Sequence, residues 1–164
     1  SVKMILESTQ LLSTAHRLLD GKQITINKYV NGSLPARWRK VKRWQLMDKR
    51  EDILYQATHI NHPSAIWART SVENYNWLLE HLFALITEYN YRYGKVHKCA
   101  GEIFDMLCSP PTNLNKYDRT EIPSCMAKEY IISNDPIKNY RNYYLLGKKH
   151  LHNWTKRNPP EWIS

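Results

Sequence analysis

Residues 21–50 read GKQITINKYVNGSLPARWRKVKRWQLMDKR, and the fold class turns on this stretch. In its first half, Ile24, Ile26 and their short β-branched run can form a hairpin arm or only a loop. Asn31-Gly32 is a turn signal. No second convincing strand follows, so a sheet is not expected. The second half, residues 35–50, carries seven Lys or Arg against one Asp, with Trp38 and Trp44 interleaved. On a helix, Arg37, Arg39, Lys40, Lys42 and Arg43 fill almost every direction, so an exposed loop or short helix that wraps a backbone is expected. The plainer reading is a solvated charge run. Two tryptophans argue against it, because a solvent-facing indole is costly to leave without a partner, although either ring can anchor the segment on the core.

Helical patterns flank this stretch on both sides. In VKMILESTQLLSTAHRLLDG, Ile5, Leu12, Ala15 and Leu19 fall on one stripe, with Met4, Leu11 and Leu18 beside it, and Gly21 is placed to stop the helix. After His59 and His62-Pro63 a long helix is predicted. Thr70 and Glu73 stand at capping-box spacing, Tyr75, Leu78, Leu79, Leu82, Leu85, Ile86 and Tyr89 make its stripe, and Gly94 closes it. A shorter helix is predicted over about 95–107, ending at Pro110-Pro111. Residues 109–134 read as loop. Asp135 is placed as an N-cap, with Pro136 at the first helical position.

The last helix carries YRNYYLLGKK, residues 140–149. Ile137, Tyr140, Tyr144 and Leu151 share a face expected to pack inward, while Tyr143 lies to the side, near Arg141, Lys148 and Lys149. Tyr143 is therefore the candidate stacking ring, with the cations holding phosphates. The architecture expected is all-α: a compact single-domain helical bundle with long irregular connections. Residues 1–164 form one domain, with a basic Trp-containing insertion at about 22–58 and an irregular tail at about 153–164.

The whole chain has 164 residues and a formal net charge of +9, with a pI of about 9.5. That balance favours an anionic partner, nucleic acid before an acidic membrane surface. No apolar run approaches the roughly 20 residues of a membrane span, and there is no secretory signal. The three cysteines, Cys99, Cys108 and Cys125, give no disulfide framework and suit a reducing cytoplasm. The chain opens SVKMILES, without Met and already in a helical pattern, so further residues are expected ahead of Ser1.

Few residues suggest chemistry. Glu7 is the one carboxylate of the first helix before Asp20, and a partly buried carboxylate can shuttle protons. Lys3 lies four residues before it, so an ordinary exposed ion pair is the plainer reading. His97 beside Lys95 and Lys98 at a helix start reads as a phosphate site. His59, His62, His97 and Cys99 match no standard zinc spacing, and neither metal nor cofactor is expected. There is no Gly-rich phosphate loop and no nucleophile elbow.

Taken in order, VKMILES, NHPSAIW, the long helix ending YRYGKVHK, and YRNYYLLGKK resemble the small bacteriophage-type pyrimidine-dimer DNA glycosylases, the endonuclease V of the thymine-dimer kind. The likeness omits residues 22–58 and 105–134. It implies a base-excision repair enzyme, a DNA glycosylase with AP-lyase activity on damaged or modified pyrimidines. Glu7 would move protons, and Lys3, Arg37, Arg39, Lys40, Lys42, Arg43, His62, Lys95, His97, Lys98, Arg141, Tyr143, Lys148 and Lys149 would bind DNA. The partner is then damaged double-stranded DNA, with no membrane, no cofactor and a monomeric protein in the cytoplasm, in a viral case that of the host. In the family the nucleophile is the α-amine of the mature N-terminus. Here the predicted helix already takes in Ser1, so either that amine lies upstream or the chain lacks this chemistry. The arginines that flank the family's glutamate are replaced by Leu6 and Gln10. The alternatives are a non-enzymatic nucleic-acid-binding helical protein and a metal-dependent nuclease built on His59, His62 and His97.

Overall fold

A computed structural model describes residues 2–30 and 37–163, with Val30 and Arg37 as backbone only. The stretch for which no sheet was expected forms an antiparallel hairpin of two nine-residue strands, β1 (Lys22–Val30) and β2 (Arg37–Gln45). About 49% of the chain is helical, so the fold is helix-rich with one small sheet and not all-α. The Asn31-Gly32 turn signal and Ser1 lie outside the described residues.

The register explains why the strands pair. Ile26 faces Val41, Ile24 faces Arg43, and Tyr29 faces Trp38 with ring centroids 5.5 Å apart, edge to face. β-branched and aromatic cross-strand neighbours of this kind each add a few tenths of a kcal/mol to about 1 kcal/mol. The cations of β2 sit at both odd and even positions, which erases the polar–apolar alternation that marks a strand with one buried face. A ribbon with neither face fully buried needs no such alternation.

The body is helical. α1 (Val2–Asp20) and α4 (Val72–Tyr93) pack against each other, with α2 (Arg50–Ile53), α3 (Pro63–Ala68) and α5 (Glu102–Leu107) around them. Ile5, Leu12 and Ala15 of α1 meet Tyr75, Leu78 and Leu82 of α4 in one core that also holds Leu46, Leu54, Trp67, Leu107 and Leu114. The buried face of α1 is partly polar, with Ser8, Thr9, Ser13 and Thr14 in it. Thr9 and Ser13 donate to the carbonyls of Ile5 and Thr9, both at 2.8 Å, which satisfies their hydroxyls within the helix. Met4, expected beside the stripe, is exposed.

α4 begins one residue later than the capping-box reading. Ser71, not Thr70, is the N-cap and accepts from the Asn74 amide at 3.2 Å, while the Thr70 hydroxyl donates back to Ile66 O. Gly94 closes α4 in the left-handed region at φ 61°, as expected. The helix expected over 95–107 starts only at Glu102, because Gly101 at φ 91° cannot continue a helix from Cys99 and Ala100.

α6 (Pro136–Gly147) starts on Asp135, whose carboxylate accepts from the amides of Ile137 and Lys138. Its inward face differs from the one expected. Ile137 is 56% and Leu151 50% exposed, and Leu151 belongs to a separate 3-10 turn, Lys149–Leu151. The buried residue is Asn139. It accepts from the amides of Ile132 and Ser133 and donates to Ser124 Oγ and Ser133 O, so it ties the preceding loop to the helix. Among the described residues, no helix is long and apolar enough to cross a membrane.

Candidate nucleic-acid interface

The ribbon is the most strongly charged part of the molecule. Residues 22–45 hold seven Lys or Arg and no Asp or Glu. Lys22, Lys28, Arg39, Lys40 and Lys42 are exposed, as are Gln23, Thr25 and Asn27 between them. At the loop end Trp38 is 68% and Tyr29 47% exposed. At about 3.3 Å per residue each strand spans roughly 30 Å. A two-stranded ribbon of this length is marginal alone in water, so its root must be held.

The root is held by a fully buried arginine. All five N–H donors of Arg17, in the last turns of α1, are used: Nε donates to Tyr55 O at 2.6 Å, Nη1 to Trp44 O and Glu51 Oε2, and Nη2 to Glu51 O and Leu54 O. Glu51 in turn accepts from the Leu46 amide at 2.9 Å and from Arg43. Burial alone would raise the Glu51 pKa. The Leu46 amide and the two arginines outweigh it and hold the carboxyl below its usual range. One ion pair thus binds α1, α2 and the base of β2. Gly21 completes the junction: a Cβ there would lie 2.4 Å from Arg17 O and 3.2 Å from Gln45 O. Sequence reasoning misses Arg17, since a lone arginine on an amphipathic helix reads as solvated surface.

Beside the root lies an open cleft of about 610 Å³, lined by His16, Asp48, Arg50, Glu102, Asp105 and Thr112 among others. Arg50 Nη1 donates to His16 Nδ1 at 3.0 Å and to Asp20 at 2.5 Å, and Asp48 grips the same guanidinium through both oxygens. Arginine has only donors, so His16 Nδ1 must accept. Nε2–H then donates to Tyr75 Oη at 2.8 Å, and Tyr75 donates to Leu107 O. His16 is therefore a neutral buried imidazole. Burial first, then the Arg50 charge, brings its pKa down to about 4.

The other predicted site residues are scattered. Lys95 and Lys98 are exposed, but His97 between them is buried, accepts from the Cys99 amide at 3.1 Å and packs edge-on against Tyr89. Burial and the Lys98 charge lower its pKa. His62 is the N-cap of α3, with Nδ1 accepting from the Ser64 amide. On α6, Tyr143 lies beside Lys148, whose Nζ sits 5.0 Å from the ring centroid, while Tyr130 packs on the ring at 4.8 Å. Arg141 lies over Trp162 and Lys149 is exposed. The tail also folds back here, with His152 stacked on Tyr144 at 4.7 Å. Glu7 pairs with Lys3 at 3.5 Å, with side-chain exposures of 42% and 82%. It stands nine residues, or about 13 Å of helix axis, from His16.

Of the predicted cations, β2 brings Arg37, Arg39, Lys40, Lys42 and Arg43 together on one ribbon, with the Arg37 side chain outside the described residues and Arg43 half-buried at Glu51. Among the described residues, no three His, Cys, Asp or Glu side chains stand close enough to hold a metal ion, so His59, His62, His97 and Cys99 do not converge. No family model, no curated protein and no solved structure matches this chain.

Proposed function

We propose that the protein binds nucleic acid, with double-stranded DNA as its partner, and grips it with the β1–β2 ribbon. The observation that carries this reading is a ribbon whose sequence holds seven cations and no acid, with Lys22, Lys28, Arg39, Lys40 and Lys42 exposed along it and Trp38 and Tyr29 exposed at its end. A solvated arm of one charge sign neutralises phosphates and releases their counterions. A ribbon of two strands fits the major groove, which is about 12 Å wide. The exposed indole and phenol at its end offer stacking surface to a base that is unpaired or flipped out of the duplex.

The test is a titration of fluorescent duplex at several salt concentrations. The wild type should bind with a steep salt dependence. Lys40→Glu with Lys42→Glu should weaken binding at least tenfold and flatten the log–log slope by roughly 2, about one for each phosphate no longer neutralised. An unchanged slope contradicts the proposal.

The glycosylase reading would add a reaction to this surface through Glu7. Its geometry supports that step less: an exposed ion pair with Lys3, away from the open cleft at His16. Borohydride trapping on abasic duplex separates the two. A covalent adduct that disappears in Glu7→Gln supports the enzyme. Binding without an adduct leaves a binding protein.

A further inference from the structure

We infer that one face of the ribbon reads base edges in the major groove of duplex DNA, and that Gln23, Thr25 and Asn27 set the sequence preference. This deepens the binding role proposed above and rests on it.

Side chains alternate along a strand, and directly paired residues share a face. The register therefore sorts the ribbon into two faces. Gln23, Thr25, Asn27 and Tyr29 lie with Trp44, Lys42, Lys40 and Trp38. Ile24, Ile26 and Lys28 lie on the other side with Arg43, Val41 and Arg39. The Tyr29–Trp38 ring contact fixes the assignment of the first face. The second face has an apolar centre, with Ile24, Ile26 and Val41 half-buried. On the first face every residue but Trp44 is exposed, and no aliphatic side chain is present.

The first face thus sets a row of uncharged donors and acceptors, Gln23, Thr25 and Asn27, beside a row of cations, Lys40 and Lys42. Phosphate contacts position a protein on a duplex, and base contacts specify the site. The lysines supply the first kind of contact and the amides and hydroxyl the second. Asn and Gln pair in bidentate fashion with adenine N6 and N7, and a threonine methyl contacts the thymine methyl. The spacing agrees. Same-face neighbours on a strand are about 6.7 Å apart, and base pairs rise about 3.4 Å. Successive reading residues then meet every second base pair, and Gln23 and Asn27 stand about four base pairs apart.

The experiment is selection of bound sequences from a randomised duplex library by the full chain at moderate ionic strength. The expected result is enrichment of adenine at two positions about four base pairs apart. Asn27→Ala should abolish one preference and Gln23→Ala the other, each by about tenfold in discrimination. Lys40→Ala should weaken all sequences alike. Tight binding without enrichment, or enrichment that survives both substitutions, overturns the inference and leaves the binding role standing. No binding to any duplex overturns both. Enrichment seen only in RNA overturns the groove assignment, because the major groove of an RNA helix is too deep and narrow for side chains to read.

Discussion

Arg17 Nη1 donates to Glu51 Oε2 at 2.5 Å, and the arginine side chain has no exposed surface. This pair is the joint between the helical body and the ribbon. Replacing Arg17 by Met removes one charged partner of Glu51, leaving it Arg43 and the Leu46 amide, and strands four carbonyls, those of Trp44, Glu51, Leu54 and Tyr55. Breaking one side of a buried pair costs about 3–5 kcal/mol. Arg17→Met should lower the melting temperature by about 10 °C, and residues 22–30 and 37–45 should exchange their amide hydrogens before the core does. Equal exchange rates across ribbon and core would mean the joint lies elsewhere.

Stability should fall as the pH drops from about 6.5 to about 4. His16 has its folded pKa lowered to about 4 by burial and Arg50, below its ordinary 6.5. Over that window the unfolded chain takes up a proton that the folded one refuses, so acid favours unfolding. The contribution is fully present above 6.5 and lost on the way down to 4. His81 and His97 are lowered by burial too and act in the same direction, so the difference between wild type and His16→Gln isolates His16. Denaturant titrations at pH 7, 6, 5 and 4 should show a shallower decline in the variant. Parallel curves would mean that His16 is protonated in the fold.

Gly147 is held to glycine by its neighbours. A Cβ there would lie 2.8 Å from the Tyr143 ring and 3.0 Å from the Tyr130 ring. Alanine is worth up to about 1 kcal/mol over glycine inside a helix, but less at this last residue of α6. Overpacking costs about 1–3 kcal/mol. Gly147→Ala should therefore destabilise by about 1 kcal/mol and shift the Tyr143 ring resonances. A rise in melting temperature would show that the two tyrosines move aside without strain.

The helices were legible where periodicity and caps agreed. α4 shows seven apolar positions on one stripe and a closing Gly94, and α6 opens on Asp135-Pro136. The ribbon was not legible, because Lys and Arg at both parities of β2 hide the alternation that identifies a strand. Its pairing comes from contacts across the hairpin, Ile26 with Val41 and Tyr29 with Trp38, that no single segment displays. Arg17 and Asn139 were hidden for a related reason: a buried polar residue is recognisable only once its distant partners are known. The basic segment reads as a surface for a polyanion, and the ribbon gives that proposal a specific shape. Tyr143 reads as a partly exposed stacking ring, and the structure leaves it half-buried with Tyr130, Lys148 and Gly147 around it.

Hydrogen–deuterium exchange of the full chain, with and without a saturating duplex, tests the central claim most directly. A β-ribbon has outward-facing amides on both strands that solvent reaches freely. The account predicts that duplex slows exchange chiefly in residues 22–30 and 37–45, with smaller changes at Lys95, Lys98 and the end of α6. Protection concentrated on α6 and the tail, with the ribbon exchanging as fast as before, would contradict it.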